Sequence, residues 1–126
     1  MDGRTEIRAK LLTDTAVTTQ LGTYDSVAAI FDAPVAPDQY TDNCLTMYLT
    51  APTNGGLDIG IYQNTVNCYA KTYQEAESIQ DSVYSSLNRH SEGSDTFFGC
   101  SKQVIIESGQ TGSDYNAPVE VTVKQR

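Results

Sequence analysis

The sequence predicts a single α+β domain, residues 1–126, built of two layers. In this prediction a mostly antiparallel sheet of about four to five strands packs with one main helix and an N-terminal helix. Three observations support it. The 126 residues suffice for one hydrophobic core. One stretch has its apolar residues at helical spacing, and most other segments alternate in polarity, with connections short enough for antiparallel pairing.

The stretch Asn67–Leu87 reads as the end of a strand that runs into an amphipathic helix. Thr72 is a suitable N-cap, and Glu75 follows it at the capping-box spacing. We expect the helix to end near Arg89–His90. Its apolar residues follow at spacings of three, four and four, so they share one face: Ala76, Ile79, Val83 and Leu87. This narrow stripe should be buried against the sheet.

The N-terminal segment Arg4–Leu12 reads as a short helix. Continuing it unbroken would place an aspartate on its apolar side, so we expect a break at Thr13–Asp14. A further helical turn would then carry Val17 and Leu21 and stop at Gly22. A single bent helix is the alternative.

The first half of the sheet follows. Val27–Phe31 is a short apolar run that predicts a strand, and Cys44–Ala51 alternates in polarity as a strand does. Between them, Asp32–Asn43 contains two prolines and should form an extended loop. Pro52–Gly56 should form a turn.

The second half of the sheet is predicted from three further runs. Ile59–Ala70 is strand-like but changes parity around Gln63–Asn64, which favours a bulged strand over a hairpin. After the helix and a loop of sequence SEGSD, Phe97–Glu107 is predicted as one strand. Ser108–Asn116 should be a flexible loop. Val119–Lys124 should be the last strand, with Val119, Val121 and Val123 on one face.

The composition narrows the classes of function. Eight Lys and Arg stand against sixteen Asp and Glu, and the net charge is −8. Such a chain is poorly suited to wrapping nucleic acid, because phosphate contacts need basic residues. The hydrophobic content of 39% is low for a compact domain, so we expect it to bury surface against partners. Neither a signal peptide nor a membrane-spanning run is expected, which predicts a protein made in the cytoplasm.

The sequence offers few groups for catalysis or metal binding. Its three cysteines, Cys44, Cys68 and Cys100, are odd in number and widely spaced, so we expect reduced, small apolar residues in strands. His90 is the only histidine and should lie on the surface at a helix C-terminus. We therefore predict no catalytic residue, no cofactor and no metal site.

Acidic residues have two interpretations. Three aspartates and one asparagine of the proline-containing loop could offer oxygen ligands to calcium: Asp32, Asp38, Asp42 and Asn43. They lack the EF-hand pattern and are better explained as solvated loop residues. Glu77 and Asp81 lie four apart on the exposed helix face, where a plain solvated face is favoured over a site for a basic partner. Phosphate-binding glycine motifs and the GxSxG elbow are absent from the sequence.

The chain has eight tyrosines and no tryptophan. Four of these tyrosines crowd around the strand–helix unit: Tyr62, Tyr69, Tyr73 and Tyr84. Tyrosine is enriched at interfaces because it combines apolar area with a polar tip. We treat the four as candidates for a subunit interface. The alternative, that they only edge the domain's own core, is equally supported.

These patterns together resemble the tail terminator, or tail completion, proteins of long-tailed bacteriophages. The strand and helix match at Val66, Tyr69, Ala70, Glu75, Ala76, Val83 and Leu87. The first helix matches at Leu11, Leu12, Asp14, Val17, Leu21 and Gly22. The closing Asp114–Gln125 resembles the family's last strand, whereas Thr41–Gly60 matches weakly.

The resemblance implies a structural, non-enzymatic role in the virion. Such proteins form a ring, usually a hexamer, that caps the head-proximal end of the tail tube and docks to the head connector or stopper. The implied partners are copies of the chain, the major tail tube protein and the connector. DNA would pass through the lumen without specific binding, and a negatively lined channel would let it slide.

Two alternative functions remain beside the ring. One is a head–tail connector, stopper or minor tail protein, which belongs to the same structural class. The other is a small α+β ligand-binding module, for which a specific metabolite would raise the melting temperature.

Overall fold

A computed structural model of the protein describes residues 3–37, 40–54, 60–108 and 115–125, with only the backbone for residues 51–54. The helices in these ranges are α1 (Arg4–Thr13), α2 (Thr15–Thr18) and α3 (Tyr73–Leu87). The strands in the same ranges are β1 (Thr23–Tyr24), β2 (Val27–Ala28), β3 (Ile30–Phe31), β4 (Cys44–Asn54), β5 (Gly60–Ala70), β6 (Ser91–Glu92), β7 (Thr96–Lys102), β8 (Ile106–Glu107), β9 (Tyr115–Asn116) and β10 (Val119–Gln125).

Eight of these strands form one sheet, ordered β3-β4-β5-β10-β7-β6, with β9 attached to β5 and β8 attached to β9. β3 and β4 are parallel, and the other pairs in the sheet are antiparallel. The predicted α+β class is confirmed, but four to five strands is too low a number. The strands that were missed are two residues long, too short to leave a periodic pattern in the sequence.

The predicted break between the first two helices is confirmed. Asp14 has an extended backbone, with φ −95° and ψ 108°, and separates α1 from α2. Its side chain accepts a hydrogen bond from the Ala16 N–H at 3.0 Å. Asp14, which would have placed a charge on the apolar face of one long helix, is therefore the N-cap of α2.

The predicted amphipathic helix is also confirmed. Thr72 caps α3 by accepting a hydrogen bond from the Glu75 N–H at 3.1 Å. The Glu75 carboxylate accepts from Asn43 Nδ2 at 3.2 Å, which ties the start of α3 to the start of β4. All four residues of the predicted stripe have no exposed surface: Ala76, Ile79, Val83 and Leu87.

The helices cover one face of the sheet, which we call the core face. Its side chains alternate along each long strand and include Val66, Val119, Val121 and Val123, all fully buried. α1, α2 and α3 contribute apolar residues to the same cluster. The opposite face, which we call the outer face, carries the intervening residues of these strands, because successive side chains point to opposite sides of a sheet.

The predicted turn at Pro52–Gly56 is wrong in its first part. Pro52–Asn54 continue β4, and Pro52 lies opposite Tyr62 of β5. β3 pairs with β4 at Leu45 and Thr46, so Pro52 lies beyond that pairing, where a missing N–H costs no hydrogen bond to β3. The rest of the expected turn, and Ile59 at the start of the next predicted strand, lie outside the described residues.

A bulge does occur at the predicted level of the sheet, but in the other strand. The register shifts between Leu49 and Ala51 of β4, opposite Gln63–Asn64. β5 itself keeps its parity, so Tyr62 packs towards the main core. The sequence of one strand does not reveal which partner carries the extra residue.

The predicted strand Phe97–Glu107 is divided. β7 ends at Lys102, where the Gln103 N–H donates to the Pro118 carbonyl at 3.0 Å. Gln80 of α3, 4% exposed, explains the break. Its Nε2 donates to the Gln103 carbonyl at 2.8 Å and to the Pro118 carbonyl at 2.9 Å.

The predicted strand Val27–Phe31 is likewise two short strands. Ala29 separates them, and its N–H donates to the Gly22 carbonyl while its carbonyl accepts from the Leu45 N–H, each at 2.9 Å. β2 therefore pairs backward with β1, whereas β3 pairs with β4. The single apolar run Val27–Phe31 thus pairs with two different strands, β1 and β4.

The three expected loops are shorter than predicted or only partly described. The described part of Asp32–Asn43 contains no helix or strand, as expected. In the SEGSD loop, Ser91–Glu92 pairs with β7 as β6. Of Ser108–Asn116, the last two residues form β9, and residues 109–114 lie outside the described ranges.

Candidate interaction surfaces

The four tyrosines proposed for an interface do not form one surface. Tyr62 is half-buried and packs against the main core. Tyr69 lies on the outer face of β5 but is only 6% exposed, in a small cluster with Ala29 and Cys44. Burial raises the pKa of its hydroxyl, and a hydrogen bond with Thr46 opposes the rise. In the single subunit, Tyr62 and Tyr69 therefore offer little area to a partner.

The other two tyrosines are more accessible and lie on α3. Tyr73 is 49% exposed, and its ring meets that of Tyr115 edge-on at 5.9 Å. Tyr84 is half-buried, with Lys102 Nζ 5.3 Å from its ring centre, and its hydroxyl accepts from Asn88 Nδ2 at 3.1 Å. Eleven residues separate the two, or about 16 Å along a helix, so they mark separate places.

The cysteines lie in β4, β5 and β7, as predicted for small apolar residues. Burial raises the pKa of the Cys44 and Cys100 thiols to about 12 each and that of Cys68 further. A thiol becomes a nucleophile or a metal ligand only as the thiolate. These three groups are therefore protonated and unreactive near neutral pH.

His90 lies just beyond α3 rather than in its last turn, because the helix ends at Leu87 and Arg89 turns the chain with φ 64°. Its ring stacks on Phe98 at 5.6 Å, and Nε2 lies 2.8 Å from a Glu92 carboxylate oxygen. The imidazole thus contacts Glu92 of β6 and Phe98 of β7 and connects the two strands of this hairpin.

The loop acids considered as calcium ligands are dispersed among other partners. Asp32 pairs with Arg4 at 3.2 Å, and Asp42 lies 3.8 Å from Lys71. Asn43 connects two elements, since its Nδ2 also donates to the Gln20 carbonyl at 3.4 Å. Asp38 lies outside the described residues.

Within the described ranges, no three side chains of the metal-binding types converge. No helix there is long and apolar enough to cross a membrane. On the exposed face of α3, Asp81 pairs with Lys102 at 3.0 Å, and this hydrogen bond raises the pKa of the lysine. This pairing supports the interpretation of that helix face as a solvated surface.

The outer face of the sheet divides into a covered end and an open end. At the covered end, Asn67 donates to Thr46 Oγ1 at 3.3 Å and accepts from Asn116 Nδ2 at 3.1 Å, and all three residues are buried. Further along, Thr65 bonds Thr50 at 2.7 Å and donates to Glu120 at 2.8 Å. Hydroxyl, amide and carboxylate groups thus form hydrogen bonds with one another across the outer face.

The open end of the outer face forms a cleft of about 890 Å³. Strands β4, β5, β7 and β10 line it, and its lining residues include Phe97, Gly99, Thr122 and Lys124. Phe97 is 41% exposed. The cleft was not predicted, because it depends on how distant strands pair.

The β1–β2 hairpin and the loop after β3 form a second accessible surface, which we call the aromatic hairpin. The rings of Tyr24, Phe31 and Tyr40 meet edge-on, with centres 5.3 to 5.9 Å apart. Burial, with the nearby Asp42 and Cys44, raises the pKa of Tyr40 to about 12. Tyr24 and Val27 at the hairpin are each 43% exposed.

The aromatic hairpin was missed in the sequence, where two tyrosines outside the strand–helix unit were not considered. Its available signal is Tyr24–Val27, in which an Asp-Ser pair separates two residues favoured in strands. Asp-Ser is a weaker turn signal than Asn-Gly or Asp-Gly, which explains the omission.

No protein-family model matches this sequence. A comparison with curated proteins gives no match either. Function must therefore be inferred from the chain's own surfaces and from the pattern of its residues.

Proposed function

We propose that this protein is a structural component of a bacteriophage virion. In this role it forms an oligomeric ring on the head-proximal end of the tail tube, ends tube polymerisation and joins the tail to the head. The observation that carries the proposal is the division of the sheet into a core face covered by helices and an outer face that stays partly open. A small domain with an open sheet face has a surface available for neighbouring copies.

The residues that carry the resemblance to tail terminators support the same role. In β5 and α3, five of them are fully buried and build the contact between these two elements: Val66, Ala70, Ala76, Val83 and Leu87. The four long strands, together with α3 and α1, form a two-layer unit. The similarity therefore concerns how the sheet and its helix pack, which is what a scaffold for a ring requires.

The charge distribution suits a channel for DNA. Among the described residues, three basic side chains form ion pairs with acids of the same chain: Arg4, Lys71 and Lys102. With a net charge of −8 on each copy, a ring would present a negative surface to the phosphates. DNA would be repelled from the wall and could pass without binding.

A genetic experiment tests this function. The gene is disrupted in the phage that encodes the protein, and tails are measured by electron microscopy. We expect tails of variable, excessive length that do not join to heads, and restoration by the wild-type gene. Tails of normal length on complete particles would refute the proposal. Normal tails that fail to join heads, with the protein found on the portal side, would instead indicate a connector or stopper.

The cleft favours a second candidate, a ligand-binding module. Its volume of about 890 Å³ lies within the range of pockets that hold small molecules. The candidate predicts that one metabolite of a screened panel raises the melting temperature by several degrees and that Thr122→Trp, which fills the cleft, abolishes the shift. A panel with no such compound would remove this candidate.

A further inference from the structure

The aromatic hairpin and the cleft lie towards opposite edges of the sheet. The hairpin leads directly into β3, the first strand in the order β3-β4-β5-β10-β7-β6. The cleft lies mainly over β10 and β7, near the other end of that order. A contact between the hairpin of one copy and the cleft of another is therefore heterologous, and such contacts close into rings when the rotation permits.

We propose that the β1–β2 hairpin of one copy docks into the outer-face cleft of the next copy. Repeating this contact would assemble the ring proposed above. The inference therefore rests on the proposed function and names the two surfaces through which the subunits meet. Tyr24 would lie against Phe97 and Gly99, and Asp25 would face Lys124. The occupant of the cleft is thus a second copy of this chain.

The hairpin is shaped in advance for such a contact. Asp25 and Ser26 have φ of 52° and 66°, the left-handed values that a two-residue turn of this hand requires. Neither is glycine, so the turn carries strain that the rest of the hairpin must support. Tyr40 supplies that support through ring contact with Tyr24 and a hydrogen bond from its hydroxyl to the Thr23 carbonyl at 3.3 Å. A rigid hairpin loses little entropy on docking.

Two residues of β7, Gly99 and Phe97, line the cleft next to each other. Gly99 lies in the middle of β7, and a Cβ placed there would have no atom within 4 Å. Glycine inside a strand often marks a place where another chain approaches closely. Phe97, two residues earlier on the same face, is 41% exposed. An aromatic ring seated on Gly99 would meet Phe97 at its edge, the arrangement that aromatic pairs prefer.

Charge complementarity identifies the occupant. Asp25 at the hairpin tip and Lys124 in the cleft are both exposed, and neither forms an ion pair in the part of the chain that the structure describes. Each copy carries a net charge of −8, so copies repel one another in general. A specific pair of opposite charges at the contact would fix its orientation against that repulsion.

A charge-exchange experiment on the purified full chain tests the docking. Asp25→Lys, Lys124→Glu and the double variant are compared with wild type by sedimentation velocity over a series of protein concentrations. The control is Glu77→Lys, which makes the same charge change as Asp25→Lys but on the exposed face of α3. Thermal melting of each variant checks that it is folded.

We expect wild type and the Glu77→Lys control to form oligomers larger than dimers. Each single reversal should weaken self-association by about tenfold or more, and the double variant should recover most of the loss. Wild-type oligomers that both reversals leave unchanged would overturn the docking but not the ring. A wild type that stays monomeric at every concentration would also overturn it, and the ring would then be judged by the tail-length experiment.

Discussion

The two faces of this sheet are built from the same strands but differ in what covers them. On β10, Val119, Val121 and Val123 are fully buried under the helices, whereas Thr122 and Lys124 between and beyond them remain accessible on the outer face. The core face is apolar and packed within the subunit. The outer face is polar, hydrogen-bonded and open over part of its length.

From this difference we expect stability and association to be separable in this domain. Substitutions on the core face should change folding, and substitutions at the open end of the outer face should change contacts between copies. The covered end of the outer face is the informative exception. There the segment after β3 shields Tyr69, so a residue of the outer face becomes part of a small second core.

The largest difference between the faces is expected for a buried charge. Val121→Asp would place a carboxylate in a fully apolar, fully buried site and should destabilise the fold by more than about 4 kcal/mol. Thr122→Asp, one residue later on the outer face, should change the free energy of unfolding by less than about 1 kcal/mol. Urea unfolding followed by circular dichroism measures both. Equal losses would show that the outer face is also packed.

The tyrosines should follow the same division. Tyr69→Ala should lower the free energy of unfolding by about 3 kcal/mol, because it leaves a cavity in the second core. Tyr73→Ala should cost less than about 1 kcal/mol and weaken assembly more than it lowers stability. Chemical unfolding and sedimentation are compared on the same samples. A stability loss at Tyr73 as large as that at Tyr69 would assign its ring to the core.

Gln80 is a buried polar residue of α3 that forms hydrogen bonds with the backbone of the sheet. Gln80→Leu replaces the amide by an apolar side chain of similar size and removes the donor to the Gln103 and Pro118 carbonyls, which should cost about 2 kcal/mol. The matched control is Gln74→Leu, at an exposed position of the same helix, which should be nearly neutral. Thermal and urea unfolding measure the pair. A neutral Gln80→Leu would mean that these two bonds do not hold the break after β7.

The effect that is smallest at neutral pH concerns the Cys44 thiol, which acts only in alkaline solution. Burial raises the pKa of the Cys44 thiol from 9.0 to about 12, so the thiol ionises first in the unfolded chain. Its contribution to stability is complete below pH 9 and is lost as the pH rises from 9 to 12. Cys44→Ala should therefore flatten the fall of stability above pH 9 while leaving the change from pH 7 to 8 as in wild type. An unchanged slope above pH 9 would contradict the burial of this thiol.

Local patterns in the sequence predicted the elements that depend on local chemistry. The stripe of α3, its cap at Thr72, the break at Asp14 and the buried valines of β10 all follow from periodicity and capping over a few residues. Each of these features is determined by neighbours along the chain, and each is found where it was predicted.

Features that depend on pairing between distant segments could not be predicted in this way. The division of Phe97–Glu107 is held by Gln80 and Pro118, which the run itself does not contain. The cleft exists because β10, the last strand, lies between β5 and β7. The aromatic hairpin brings Tyr24 and Tyr40 together across a proline-containing loop. No periodicity within one segment encodes these contacts.

Electron cryomicroscopy of the oligomer, alone or on the end of a tail tube, tests most directly whether copies meet through the outer face. The structure leads us to expect a ring in which the hairpin around Asp25 enters the neighbouring cleft beside Lys124, while Glu77 and Asp81 on α3 remain outside that contact. A ring whose subunits meet through the polar face of α3, with the cleft open to solvent, would contradict this division of the two faces.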